Sequence, residues 1–184
     1  GLFSVLGVQH ATFLLETGRI DQSRNNTKRN VQISINRNWK ESVIHCKRLL
    51  GDIALVEKNF NEANEYFTEA LEVARYLGYQ EETSRILLGM AKVSMTENRF
   101  EEALVNFRSA LEIANYAGTK VDVLNGWAEL YLYQHKLDQA REQSQEALKM
   151  AEATEYAWGQ GTALHILGQI ALLIGNQDEA QHLL

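Results

Sequence analysis

The sequence predicts an all-α protein built from a series of antiparallel helix hairpins, and three observations carry that prediction. The 184 residues contain no Pro, are 45% hydrophobic and 23% charged, and are rich in Ala, Leu, Glu, Gln and Arg, which lose least on entering a helix. Apolar residues recur at i, i+3, i+4 and i+7. One short marker returns through the whole chain at a spacing of 37 to 40 residues.

That marker is Asn59-Phe60-Asn61-Glu62-Ala63, then Arg99-Phe100-Glu101-Glu102-Ala103, then Lys136-Leu137-Asp138-Gln139-Ala140. Weaker copies stand at Arg19-Ile20-Asp21-Gln22-Ser23 and Asn176-Gln177-Asp178-Glu179-Ala180. Seven residues after the marker Ala comes Ala70, Ala110 or Ala147, with Phe67 and Phe107 between the first two pairs. A small-large-small stripe two turns long faces a partner helix. Twelve residues before the marker stand Leu50-Gly51, Met90-Ala91, Trp127-Ala128 and Leu167-Gly168, each a large residue followed by a small one, where a preceding helix comes close. Leu87, Leu124 and Leu164 before that point, and Ala54, Ser94, Tyr131 and Ala171 after it, complete an amphipathic first helix.

The spacing therefore predicts helices at 2–17, 20–36, 39–58, 61–77, 80–97, 100–117, 120–135, 138–154 and 158–174, with a further start at 177. Gly18, Asn98 and Gly175, and Asn59 beside Lys58, suit left-handed C-caps within hairpins; Gly78, Gly118 and Asn38 suit them between hairpins. The whole chain is then one repeat domain, with repeats at about 1–38, 39–78, 79–118, 119–157 and 158–184. It starts with Gly1 and stops inside its own pattern, as a segment of a longer protein would.

The order Leu50-Gly51, Ala63, Phe67, Ala70, repeated in register by Leu88 to Ala110 and Leu124 to Ala147, resembles the tetratricopeptide repeat. The resemblance implies a right-handed α-solenoid of about 4.5 repeats that binds proteins or peptides on the concave wall lined by first helices. The family's usual repeat is shorter and often ends in Pro. The longer form seen here resembles arrays of bacterial STAND-class signalling ATPases and Rap-type peptide receptors.

Net charge is −6, which opposes binding to a phosphate backbone, so nucleic acid is not an expected partner. No run of apolar residues is long enough to predict a membrane span, and the lone Cys46 has no disulfide partner, which fits a reducing, cytoplasmic setting. Asn25-Asn26-Thr27 forms a glycosylation sequon without a secretory signal. Charge is uneven: residues 19–48 hold eight basic and two acidic side chains, a local +6 against −12 elsewhere. The same stretch has Ser23, Thr27 and Asn30 where later repeats carry Ala, Phe and Ala. It suits a solvated capping face or a docking patch for an acidic surface.

Catalytic constellations are not evident. Gly159-Gln160-Gly161 lacks the strand and lysine of a phosphate loop and reads as an inter-repeat turn. The five histidines never stand at ligand spacing, so no metal or other cofactor is expected. Glu81-Glu82 and Glu101-Glu102 fall in first turns, where carboxylates complement the helix dipole. Cys46 has no His at i+3 or i+4. The chain is expected to bind and not to catalyse.

Counting from each marker Ala gives the residues of the concave wall: His45, Arg48, Asp52 and Val56; Arg85, Leu88, Lys92 and Met95; Asp122, Asn125, Glu129 and Tyr133; His165, Gln169 and Leu172. Arg85 and Lys92 lie two turns apart, and Asn125 comes from the next repeat, a trio suited to a peptide backbone or carboxylate. Asp52 and Glu129 stand where a chaperone-tail clamp would need Asn. Trp127 is expected in the core, Trp39 and Trp158 at edges that could anchor an interface. The leading function is a protein- or peptide-binding module of a larger bacterial regulator. A dedicated receptor for a short signalling peptide and a self-association element are the alternatives.

Overall fold

A computed structural model describes residues 5–183. Among these residues the elements are α1 (Val5–Glu16), α2 (Ile20–Asn36), α3 (Lys40–Val56), α4 (Phe60–Tyr76), α5 (Gln80–Thr96), α6 (Phe100–Ile113), α7 (Ala117–Tyr133), α8 (Leu137–Ala153), α9 (Ala157–Leu173) and α10 (Gln177–Leu183). The fold is all-helical, and the chain divides into two compact units, one up to Val93 and one from Ser94, with α5 running across the boundary. None of the described helices is long and apolar enough to cross a membrane.

The forty-residue period has a simple origin. Most helices are 17 residues long and end in a three-residue turn whose middle residue is left-handed: Gly18, Asn38, Lys58, Gly78 and Asn98, then His135, Glu155 and Gly175. At each turn that residue's N–H and the next one return to the preceding helix, as when Lys58 donates to the Leu55 carbonyl at 3.0 Å and Asn59 to that of Ala54 at 2.8 Å. This is the Schellman pattern, which satisfies the last carbonyls of a helix. Two such units make one repeat. Asn59 then serves the next helix, its side chain accepting from the Glu62 N–H. The left-handed position is thus taken by Lys58, not by the Asn beside it.

One junction departs from the pattern. The sequence suggested a helix to residue 117 with Gly118 as its left-handed cap, but α6 stops at Ile113 and Ala114 is extended, at φ −65° and ψ 125°. Gly118 is the second residue of α7. Three residues missing from α6 are what shorten the spacing from 40 to 37. Gly159 and Gly161 likewise lie in the first turns of α9 and not in a turn between repeats. Gly159 is needed there because a β-carbon would stand 2.4 Å from Val121 Cγ1 of α7.

The register sets the core. Ala63 and Ala70, Ala103 and Ala110, and Ala140 and Ala147 are all fully buried, as are Phe67 and Phe107. In the first unit Phe67 of α4 fills the space beside two glycines: a β-carbon on Gly51 of α3 would lie 2.6 Å from its ring, and one on Gly89 of α5 would lie 2.4 Å from it. Val8, Ala11, Val31, Cys46, Leu49, Leu50 and Ile53 form a neighbouring cluster. Ser23, Thr27 and Asn30 are buried as well, so this part of α2 is core and not a solvated cap. Its polarity is absorbed locally: the Ser23 hydroxyl donates to the Ala11 carbonyl and that of Thr27 to the Ser23 carbonyl, both at 2.7 Å. In the second unit one cluster joins Val121, Leu124, Ala147, Ala151 and Ala163, and another Ala128, Ala140, Ile166 and Ile170.

Candidate functional site

In the first unit α3 and α5 are both first helices, separated in sequence by the second helix α4. Spacing along α3 aligns His45, Arg48 and Asp52; on α5 it aligns Glu82, Arg85 and, two turns later, Lys92. The two sets meet on Glu82. His45 Nδ1 lies 2.9 Å and Arg48 Nε 3.2 Å from Glu82 Oε2, and Arg85 Nη1 lies 3.8 Å from Oε1. Arg48 also pairs with Asp52 at 2.6 Å, and Arg85 with Glu81 at 3.1 Å. One carboxylate therefore orients two guanidinium groups and an imidazole.

The electrostatics follow from burial. Glu82 is only 7% exposed. Burial alone would raise its pKa, but the His45 hydrogen bond and the Arg48 charge hold it at about 2. Burial opposes the charged form of Arg48, and the Asp52 and Glu82 carboxylates outweigh it, so that pKa rises. Burial pushes Asp52 up against the pull of Arg48 and Lys92. Next to the network, Cys46 is buried and its thiol is pushed up to about 12, chiefly by desolvation. At neutral pH it is a poor nucleophile.

The second unit gives the predicted residues different surroundings. Asn125 is buried, and its amide donates to the Gly159 carbonyl at 3.0 Å, tying α7 to α9. Asp122 accepts from the Tyr156 hydroxyl at 3.0 Å. These two residues brace neighbouring first helices and are not free wall groups. Glu129 is half-buried, while Tyr133 is 60% exposed, with its ring 5.8 Å from that of Phe100. His165 is exposed and lies 3.0 Å from Gln169 on the next turn of α9. Of the tryptophans, Trp127 is half-buried against Tyr131, while Trp39 and Trp158 are exposed at or near the starts of α3 and α9.

Glu82 escaped the sequence reading because a first-turn carboxylate already has a sufficient reason in the helix dipole. A usable signal was present. Arg48 and Glu82 are 34 residues apart, as are Asp122 and Tyr156, and Asn125 and Gly159, so one separation links a first helix to the start of the next. A second signal was the aromatic at the residue preceding each of four first helices: Trp39, Tyr79, Tyr116 and Tyr156.

The basic stretch is partly compensated from outside itself. Arg24 pairs with Glu57 and Glu62, Lys47 with Glu69, and Arg48 with Glu82, while Arg19 lies over the Phe13 ring. Lys28, Arg37 and Lys40 stay exposed.

Residues 41–115 match the family model of the tetratricopeptide repeat. No curated protein matches the sequence. Among solved structures, BtubC (BKLC) from P. vanneervenii is similar at a TM-score of 0.70 and 16% identity, over 95% of this chain and 74% of that one. A kinesin light chain candidate of Podosopora anserina, with nearly identical TPR-like repeats, is similar at 0.65 and 14%, over 96% and 89%. YrrB, a TPR protein with an unusual peptide-binding site, is similar at 0.51 and 14%, over 97% and 81%. At these identities the likeness is one of fold.

Proposed function

We propose, on the premise that residues 41–115 of this chain are tetratricopeptide repeats, that it is a protein- or peptide-binding scaffold without turnover, and that the charged face of α3 and α5 is its binding site. The observation that carries this reading is the ordering of Arg48, His45 and Arg85 around the buried Glu82, with Lys92 acting on Asp52 two turns further along. Cations held in position by a buried partner lose little freedom on meeting a ligand carboxylate or carbonyl, which favours recognition over loose attraction. Arg85, with 41% of its side chain exposed, and the half-buried Lys92 are the groups a ligand reaches. The fold's typical use as an interaction scaffold agrees with this. The long repeat supports a docking or sensor arm of a bacterial regulator. A receptor for a short peptide is the second reading, favoured by the likeness to YrrB.

The test is a double truncation, Arg85→Ala with Lys92→Ala, screened beside the parent chain against an immobilised library of short peptides. Exposed ion pairs contribute about 0 to 1 kcal/mol to folding, so melting should change little. Affinity for peptides that engage this face should fall by about 2 to 5 kcal/mol. A double variant that binds every captured peptide as the parent does would remove the face from consideration.

A further inference from the structure

We infer that a second surface, the groove of the first unit between the second helices α2 and α4, docks an amphipathic helix of a partner protein that is apolar on one stripe, acidic along one flank and basic along the other. The groove encloses about 450 Å³ and is walled by Ile35, Val43, Val73 and Tyr76, with Lys40 and Glu72 at its sides. Ile35 is 52% and Tyr76 83% exposed, although each stands beside further apolar surface. Clustered exposed apolar groups on a polar rim are the usual mark of an interaction site. None of these residues belongs to the charged face of α3 and α5.

The two walls carry opposite charge. On α2, Lys28 precedes Ile35 by two turns on the same face, and Arg37, which caps that helix, and Lys40, the first residue of α3, follow at the end of the groove, all exposed. On α4, Glu65, Glu69 and Glu72 are spaced by four and three residues and lead to Tyr76, with Glu69 already holding Lys47 at 2.6 Å. Near the start of both helices the two walls satisfy each other, where Arg24 of α2 clasps Glu62 of α4 at 3.1 Å. Toward the other end of the two helices the lining turns apolar, at Ile35, Val43, Val73 and Tyr76. That lining covers residues 34–38 on one side and 72–76 on the other, about one turn each. With Lys28 and Glu65 nearer the ion pair, the charged walls extend over 10 and 11 residues, roughly 15 to 17 Å or about three turns of helix. Charges at helical spacing on both sides of an apolar trough match a helix laid in a groove, whose flanking residues fix its direction as e and g positions do in a coiled coil.

The experiment titrates the whole chain with three synthetic helical peptides of about fifteen residues. All share one apolar stripe, and their flanks are Glu/Lys, Glu/Glu or Lys/Lys. The Glu/Lys peptide should bind at least about tenfold more tightly than either of the others, with a gain of helical circular dichroism on binding. Ile35→Glu with Tyr76→Glu should cost at least about tenfold in its affinity. Lys28→Glu with Lys40→Glu makes both walls acidic, so preference should pass to the Lys/Lys peptide. Arg85→Ala with Lys92→Ala should bind the Glu/Lys peptide as the parent does, which separates this surface from the charged face of α3 and α5. Equal binding of all three peptides, no saturable binding, binding without helix gain, or a preference unmoved by the Lys28/Lys40 reversal would each overturn the inference.

Discussion

The seam around Phe67 and the seam around Ser144 occupy the same register position in different repeats and solve the same packing problem in opposite ways. In the first, a phenylalanine on the second helix fills the space vacated by glycines on both neighbouring first helices, Gly51 and Gly89. In the fourth repeat the corresponding three positions hold Ser144, Ala128 and Ile166, all buried. Volume has moved from the second helix to the following first helix. The first repeat uses that second solution too, with Thr27, Ala11 and Leu49 at these positions. The large residue at a seam can thus pass from one helix to its neighbour, because close packing requires that the shared space be filled and not that one given position fill it.

The largest test of this comparison is Phe67→Ala, which removes the ring and leaves two glycines with nothing to fill the gap. A loss of about 3 to 5 kcal/mol is expected, measured by denaturant unfolding. Gly89→Ala probes the seam from the other side. The ring cannot retreat from a β-carbon at Gly89 without meeting the Gly51 backbone, so overpacking of about 1 to 3 kcal/mol should exceed the gain of about 1 kcal/mol in helix propensity. Gly161→Ala is its control, since a β-carbon there meets open space and only the propensity gain remains. A Gly89→Ala chain as stable as the Gly161→Ala chain would contradict the trapped ring. The smallest effect is expected at Ser144, whose hydroxyl is buried without a hydrogen-bond partner among the described residues. Ser144→Ala should stabilise by up to about 1 kcal/mol. A loss of more than that would mean that the hydroxyl is satisfied in solution.

Much of the fold was legible because it depends on near neighbours in sequence. Ala63, Phe67 and Ala70 lie within two turns, so periodicity alone assigned them to the core. The end of α6 was misread because Gly118 looked like a cap in the expected place. Only the count of residues between Ala110 and Leu124, three short of the other repeats, hinted that a helix had been trimmed. In the candidate site, His45, Arg48 and Arg85 were found by register, and Glu82 was not. A side chain's burial at the start of one helix depends on how the helix two elements earlier approaches it. Asn125 was misjudged for the same reason: it bonds to a carbonyl that only the close approach at Gly159 brings within reach.

Sequence by itself determined the helices, their pairing, the period and the small and large positions, since each follows from spacing along one helix or from the fixed length of a Schellman turn. Tertiary structure alone decided which polar residues at those positions remain available. Arg48 and Asn125 occupy the same register position, yet one holds the buried carboxylate of Glu82 and the other a backbone carbonyl. The difference is made by the residue at the start of the next first helix, Glu82 in one repeat and Gly159 in another. A glutamate there supplies a charge for the guanidinium to meet, and a glycine lets the backbone itself come close enough to accept the bond.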